Sequence, residues 1–141
     1  MRLTTFTDYS LRVLMYLAAA PEKRATIAEV AKAFAISEHH VVKVVHFLGK
    51  EGFLENRRGR GGGLQLARAP SAINVGRVVR LAEGGDRAAE CFERDSSACV
   101  LIKACRLRGV LEEAVANFYA TLERYSLEDL RMQRKVQWLN A

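Results

Sequence analysis

The chain has 141 residues, half of them hydrophobic, and a formal net charge of +6. That is enough to bury a core without added staples, and it matches one small domain with an appended element. No run approaches the roughly 18 to 20 apolar residues of a membrane span, and Asp8 and Arg12 interrupt the N-terminal stretch where a secretory signal needs an unbroken apolar segment, so a soluble, cytoplasmic protein with no membrane association is expected.

The first apolar pattern, Phe6, Val13, Leu14 and Leu17, has helical spacing and stops before Pro21, which predicts a first helix. The stretch "TIAEVAKAF" opens with Thr26 as N-cap and Glu29 three residues on, the reciprocal pair of a capping box. It breaks at "AIS", where Ser37 can cap "EHHVVKVVHFLGKEGF"; Val41, Val42, Val45 and Leu48 are its expected buried face, and Gly52 its end. Two helices joined by a turn of about three residues fit either a plain helical hairpin or a helix-turn-helix, whose second helix enters the major groove.

The next segment favours the second reading. "FLENRRGRGGGLQLA" reads as strand, turn, strand, with Phe53 and Leu54 before a turn holding Gly59, Gly61, Gly62 and Gly63, and Leu64 and Leu66 after it. The same turn presents Arg57, Arg58 and Arg60, which a solvated hairpin tip does not need but a wing along a phosphate backbone does. Neither a P-loop nor a dinucleotide fingerprint is present. Charge agrees with a DNA-binding front half: residues 1 to 70 carry 11 Lys and Arg against 6 Asp and Glu, whereas residues 71 to 141 carry 11 against 10. The residues expected at DNA are Thr26, Ser37, Glu38, His39, His40 and Lys43 around the second helix, and Arg57, Arg58 and Arg60 on the wing. The fold class is therefore mainly α with a small β-hairpin wing, a winged helix-turn-helix over residues 1–70 closed by Pro70.

Residues 71–141 differ in character. Asn74 can cap a helix that buries Val75, Val78, Val79 and Leu81 and ends at Gly84 and Gly85. Further on, Leu107, Leu111, Ala114, Val115, Phe118 and Leu122 make a long stripe at helical spacing, which suits either a core helix or a helix packed on its twin in a homodimer. Ser126 can then cap a last helix, "LEDLRMQRKVQWL". Between the two lie all three cysteines, Cys91, Cys99 and Cys105, separated by seven and five residues. In a reducing compartment an odd, clustered set argues for reactive or metal-bound thiolates over disulfides. The histidines, His39, His40 and His46, all fall on the second helix of the pair, which weakens a Cys-three-His zinc site. No nucleophile-base constellation or carboxylate pair suggests an enzyme. A thiol-redox or electron-transfer protein without DNA binding is the alternative from another class.

In this order, "LTTFTDYSLRVLMYLA", "RGRGGG", "PSAINVGRVVRLAEG", the three cysteines and "ACRLRGVLEEAVANFYATLERYSLEDL" resemble the winged-helix iron-sulfur transcription regulators, the IscR/NsrR-like family, over essentially the whole chain. "FTDYSLRVL" and "ACRL" followed by "YSLEDL" look like its nitric-oxide-sensitive, NsrR-like branch. The resemblance implies a homodimeric repressor that binds double-stranded operator DNA and is released when nitric oxide nitrosylates or removes an iron-sulfur cluster; a redox or iron-sulfur-status regulator of the same family is the alternative. The cluster is expected to be 4Fe-4S, with 2Fe-2S as the other form. Cys91, Cys99 and Cys105 would be ligands in a cluster-binding loop, and 71–141 would also supply the dimerisation helices. In IscR-like members a histidine three residues after the last cysteine completes the site; here that residue is Arg108. In NsrR-like members an N-terminal aspartate of the other subunit does so, and the matching residue is Asp8. Read without the resemblance, Asp8 is a helix-start carboxylate paired with Arg12 four residues on.

Overall fold

A computed structural model describes residues 2–85, 89–92, 99–101 and 104–131 of the chain. Its elements are α1 (Thr5–Ala19), α2 (Ile27–Phe34), α3 (Glu38–Lys50), β1 (Leu54–Arg57), β2 (Gly63–Leu66), α4 (Val75–Glu83) and α5 (Arg106–Leu122), with short 3-10 turns at Pro70–Ala72 and Glu90–Phe92. Among the described residues no helix is long and apolar enough to cross a membrane.

Local chemistry sets the helix ends. The Thr4 hydroxyl accepts from the Thr7 amide at 3.2 Å, and Asn74 Oδ1 accepts from the Arg77 amide at 2.9 Å. At α2 the capping box is complete: the Glu29 amide donates to Thr26 Oγ1 at 3.1 Å, and Glu29 Oε2 accepts from the Thr26 amide. Gly84 closes α4 in the left-handed region at φ 77°, where a Cβ is costly.

The main core joins the helices of both halves of the sequence. Val13, Leu14, Val30, Val41 and Leu48 are completely buried together with Phe53, Leu54 and Leu64 of the hairpin, and Ile73, Val78 and Leu127 pack into the same cluster. On α3 the sequence pattern placed one residue wrongly. Val42 is 47% exposed and Val44 takes its place inside. At about 100° per residue, positions 41, 44, 45 and 48 share one face and 42 falls off it. Leu81, 37% exposed, misses the buried face of α4 for the same reason.

A second, smaller cluster holds α5 against α4, through Val115 and Tyr119 on Val75 and Val79. Tyr119 was absent from the expected stripe. Leu107 and Val110, at the other end of α5, are 63% and 61% exposed. The helices approach closely at Gly76, where a Cβ would stand 2.7 Å from the Glu123 backbone nitrogen. Around this point Asn74 Nδ2 donates to the Glu123 carbonyl at 2.6 Å, Arg80 pairs with the Glu123 carboxylate at 2.8 Å, and the Leu127 amide donates to the Ile73 carbonyl at 2.8 Å. Beyond α5, the Ser126 amide and hydroxyl both donate to Asp129 Oδ2 at 2.7 Å, and a turn follows over 127–130 where the last helix was expected to start. Side-chain bonding that would cap a helix here closes a single turn instead. The remainder of that expected helix, from residue 132 on, lies outside the described residues.

The start of α1 is tied to the end of α4 by one carboxylate. Glu83 Oε1 accepts from the Thr4 amide at 2.8 Å and from the Thr4 hydroxyl at 3.0 Å. Burial alone would raise the Glu83 pKa, but hydrogen bonds from Thr7 and Thr4 outweigh it and hold the group below its ordinary value of 4.5. A carboxylate whose folded pKa is depressed stabilises the fold above its unfolded pKa, and that contribution is lost as pH falls through the folded value. Glu83→Gln should therefore lower the unfolding free energy by about 1 kcal/mol at neutral pH, discounted from the range for charge-assisted bonds because the side chain stays partly in solvent. In urea titrations the gap between wild type and variant should stay constant above about pH 5 and close as pH drops further. A gap independent of pH would mean that the clasp does not act through the carboxylate charge.

Candidate nucleic-acid interface and cysteine segment

Three residues, Ala35 to Ser37, join α2 to α3. Ala35 takes the left-handed conformation at φ 52°, which reverses the chain, and Ile36 inserts into the core at 7% exposure. Ser37 then starts α3: its Oγ accepts from the His40 amide at 3.4 Å and lies 2.9 Å from His40 Nδ1. With Val41, Val44, Val45 and Leu48 facing inward, Glu38, His39, His40, Val42, Lys43, His46 and Lys50 all remain exposed. Thr26, at the start of α2, is exposed as well; its oxygen serves the capping box while its hydroxyl proton stays available to an acceptor.

The hairpin pairs Leu54 with Leu66, Glu55 with Gln65, Asn56 with Leu64 and Arg57 with Gly63. It is welded to the helical part at Ala25, whose amide and carbonyl both bond Leu64, at 3.1 and 2.7 Å. Arg24 Nη1 donates to the Gly61 carbonyl at 3.1 Å and so steadies the tip. Two of its glycines are sterically required. A Cβ at Gly62 would lie 2.2 Å from the Arg57 carbonyl oxygen, and one at Gly63, where φ is 135°, would lie 2.9 Å from the Ala25 carbonyl oxygen. Arg57, Arg58 and Arg60 are exposed around this tip, on a backbone anchored at both ends. Sequence pattern found the wing and its arginines but not Arg24, whose partner is a backbone carbonyl 37 residues away.

The three cysteines bracket a different region. Cys91 is half-buried in the turn Glu90–Phe92, Cys99 is exposed, and Cys105 is half-buried at the N-cap position of α5 with no side-chain cap bond. All three are free thiols. The stem of the segment is fixed by Tyr119, whose hydroxyl donates to the Gly85 carbonyl at 3.2 Å while the Arg80 guanidinium stacks 4.0 Å above its ring. Arg108 pairs with Glu112 at 2.9 Å and lies 5.8 Å from the Phe92 ring centroid.

Asp8 lies in the first turn of α1 and is held by a fork from Arg12: Nε reaches Oδ1 at 3.1 Å and Nη2 reaches Oδ2 at 2.9 Å. Among the described residues no three His, Cys, Asp or Glu side chains are gathered as a metal site. The three cysteines, with or without Asp8, thus form no ready-made ligand set among the described residues of one protomer.

A helix-turn-helix followed by an anchored basic wing defines a winged-helix transcription regulator. The chain belongs to the Rrf2 family, described as iron-dependent transcriptional regulators, whose profile matches residues 3–133. It is 47% identical over 131 residues to the HTH-type transcriptional regulator NsrR of Shouchella clausii, covering 92% of this chain and 88% of that one. To the regulator of the same name from Bacillus subtilis it is 44% identical over 131 residues, with 92% and 90% covered. Among solved structures it is similar to CymR, the global cysteine regulator of B. subtilis, at a TM-score of 0.74 and 26% identity over 92% of this chain and 95% of that one. T. potens IscR shares the fold at a TM-score of 0.73 and 22% identity, with 92% and 85% covered.

If the wing arginines of two protomers contact about six phosphates, replacing Arg57, Arg58 and Arg60 together by alanine should flatten the dependence of log K on log salt by a slope of about 5. Anisotropy titrations of a labelled duplex across salt concentrations measure this. An unchanged slope would place the wing off the DNA.

Proposed function

We propose that the protein is a homodimeric repressor that binds operator DNA through residues 1–70 and carries an iron-sulfur cluster on residues 71–141, with nitric oxide as its signal. Cys91, Cys99 and Cys105 of one protomer would hold the cluster, and Asp8 of the partner subunit would complete it. The observation that carries the reading is the set of three free cysteines bracketing one segment, for which the described residues of one protomer form no complete ligand set. Three free thiols, one of them at a helix N-terminus, are the right donors for cluster iron, yet the described part of one protomer supplies them no fourth ligand. The exposed Leu107 and Val110 on α5 supply an apolar face for the second protomer that a trans ligand requires. Relatives bearing the NsrR name at 40–47% identity support the nitric-oxide branch of the family.

When bound, a cluster of this kind, 4Fe-4S in the favoured form, supplies iron that soft thiolates hold firmly and a hard carboxylate holds loosely. The chain's own residues do the rest. To help hold such a group across the subunits, Asp8 would give up its fork with Arg12; that pair is half exposed and worth only about 0.3 to 0.5 kcal/mol, so leaving it would be cheap. Because Asp8 rides on α1, its bond would restrain α1 and α3 relative to the partner's cysteine segment. Without it, Asp8 would keep its fork with Arg12 and the spacing of the two reading helices would be unrestrained. On the DNA, Glu38, His39, His40 and Lys43 meet base edges from the N-terminal turns of α3, and Thr26, Ser37 and the wing arginines meet the backbone.

Ligand variants test this directly. In anaerobically purified protein, replacing any one cysteine with alanine should abolish the visible absorption of a cluster. Asp8→Ala should retain it with faster decay, since water or a thiol fills the vacated position. If Asp8→Ala matches wild type in both decay and nitric-oxide response, Asp8 is not the fourth ligand.

A further inference from the structure

We infer that Val42 is a base-reading residue, set to contact the C5 methyl of a thymine in the major groove. The inference rests on the operator-binding reading above and deepens it by naming one group that is read. Val42 is 47% exposed, whereas its neighbours Val41, Val44 and Val45 are at most 5% exposed. A β-branched residue gains nothing on the outside of a helix, since it restricts its own rotamers and leaves apolar surface in water.

Its surroundings say what covers it. His39 and His46 lie three residues before and four after it, so they flank it on the helix surface, and Lys43 and Lys50 complete the same exposed stripe. Glu38, four residues before it, adds one carboxylate, so Val42 is an apolar spot inside a mainly cationic and hydrogen-bonding surface, and the basic wing tip extends from the same domain. Such a stripe suits a polyanion; an apolar protein partner would meet unpaired Lys and His around a single isopropyl group. Duplex DNA offers one apolar group on its major-groove edges, the thymine methyl, and apolar side chains pair with it.

The test uses the full-length chain, purified anaerobically, on a synthetic duplex selected from a random library by the wild-type protein. Synthetic DNA contains no 5-methylcytosine, so each C5 methyl is a thymine's. Replacing thymines one at a time by deoxyuridine removes the methyl and keeps the pairing. One thymine in each half-site should prove sensitive, with a loss of about 4-fold per half-site and about 15-fold for both, from about 0.8 kcal/mol per buried methyl-sized group. Val42→Ser should bind more weakly and lose sensitivity at that position only, while Val42→Ile keeps it. Val42→Ser with the wild-type deoxyuridine profile, or a wild type indifferent to every substitution, would overturn the assignment while leaving operator binding intact. If no duplex is enriched at all, the operator-binding reading falls and this assignment with it.

Discussion

Helix α1 packs against both α3 and α4, and the rest of the molecule depends on that double contact. Its Val13, Leu14 and Leu17 are at most 2% exposed, so the helix cannot tilt or slide without opening the main core, at a cost of several kcal/mol by the measure of large-to-small core changes. The same helix carries Asp8 at its start and is clasped there by Glu83, the last residue of α4, two residues before the stem of the cysteine segment. A displacement imposed on the first turn of α1 is therefore transmitted to α3 by packing and to the cysteine segment by hydrogen bonds. The packed helices α1, α3 and α4 form a stiff unit, and on the proposed reading regulation would be a matter of how two such units are spaced.

That stiffness decides which effect wins at the proposed switch. Coupling between two binding sites typically amounts to about 1 to 3 kcal/mol. The Asp8–Arg12 fork is half exposed and contributes a fraction of that, so it would not hold Asp8 against the proposed bond to iron, and it gives the carboxylate a partner without one. On that reading Asp8 would be satisfied in both states, and neither state would demand unfolding. Glu83 acts differently, since its bonds stay within one protomer and keep α1 seated on α4 in either state.

The sequence disclosed what is local and concealed what is distant. The capping box of Thr26 and Glu29 closes within three residues and could be read directly, as could the ends at Gly52 and Gly84, because positive φ is a property of one residue. The wing was legible as glycines and arginines. That Gly62 and Gly63 are required by crowding against the Arg57 and Ala25 carbonyls, and that Arg24 holds the tip, depends on chain segments brought together only by folding. The Thr4–Glu83 clasp spans 79 residues and leaves no trace in spacing. Val42 was misplaced because the four valines between 41 and 45 satisfy a helical pattern in more than one phase, and only packing against α1 and α2 selects one. Of the candidate site, the exposed residues of α3 and of the wing could be read because exposure follows from amphipathicity, whereas the proposed union of Asp8 with a partner's cysteines would need a second protomer, which a single sequence does not display.

The central claim is that the cysteine segment governs DNA binding through the spacing of two rigid protomers, and one comparison tests it most directly: the affinity of cluster-loaded and cluster-free protein for a duplex with two half-sites against a duplex with one. Half-sites about 34 Å apart demand a fixed spacing of the two α3 helices, whereas a lone half-site demands none. Control by spacing predicts that removing the cluster weakens binding to the double site by about 5- to 150-fold and leaves the single site nearly unchanged. Equal loss on both duplexes would show that the effect arises inside one winged-helix domain and would contradict a bond from Asp8 across the subunits as the route of control.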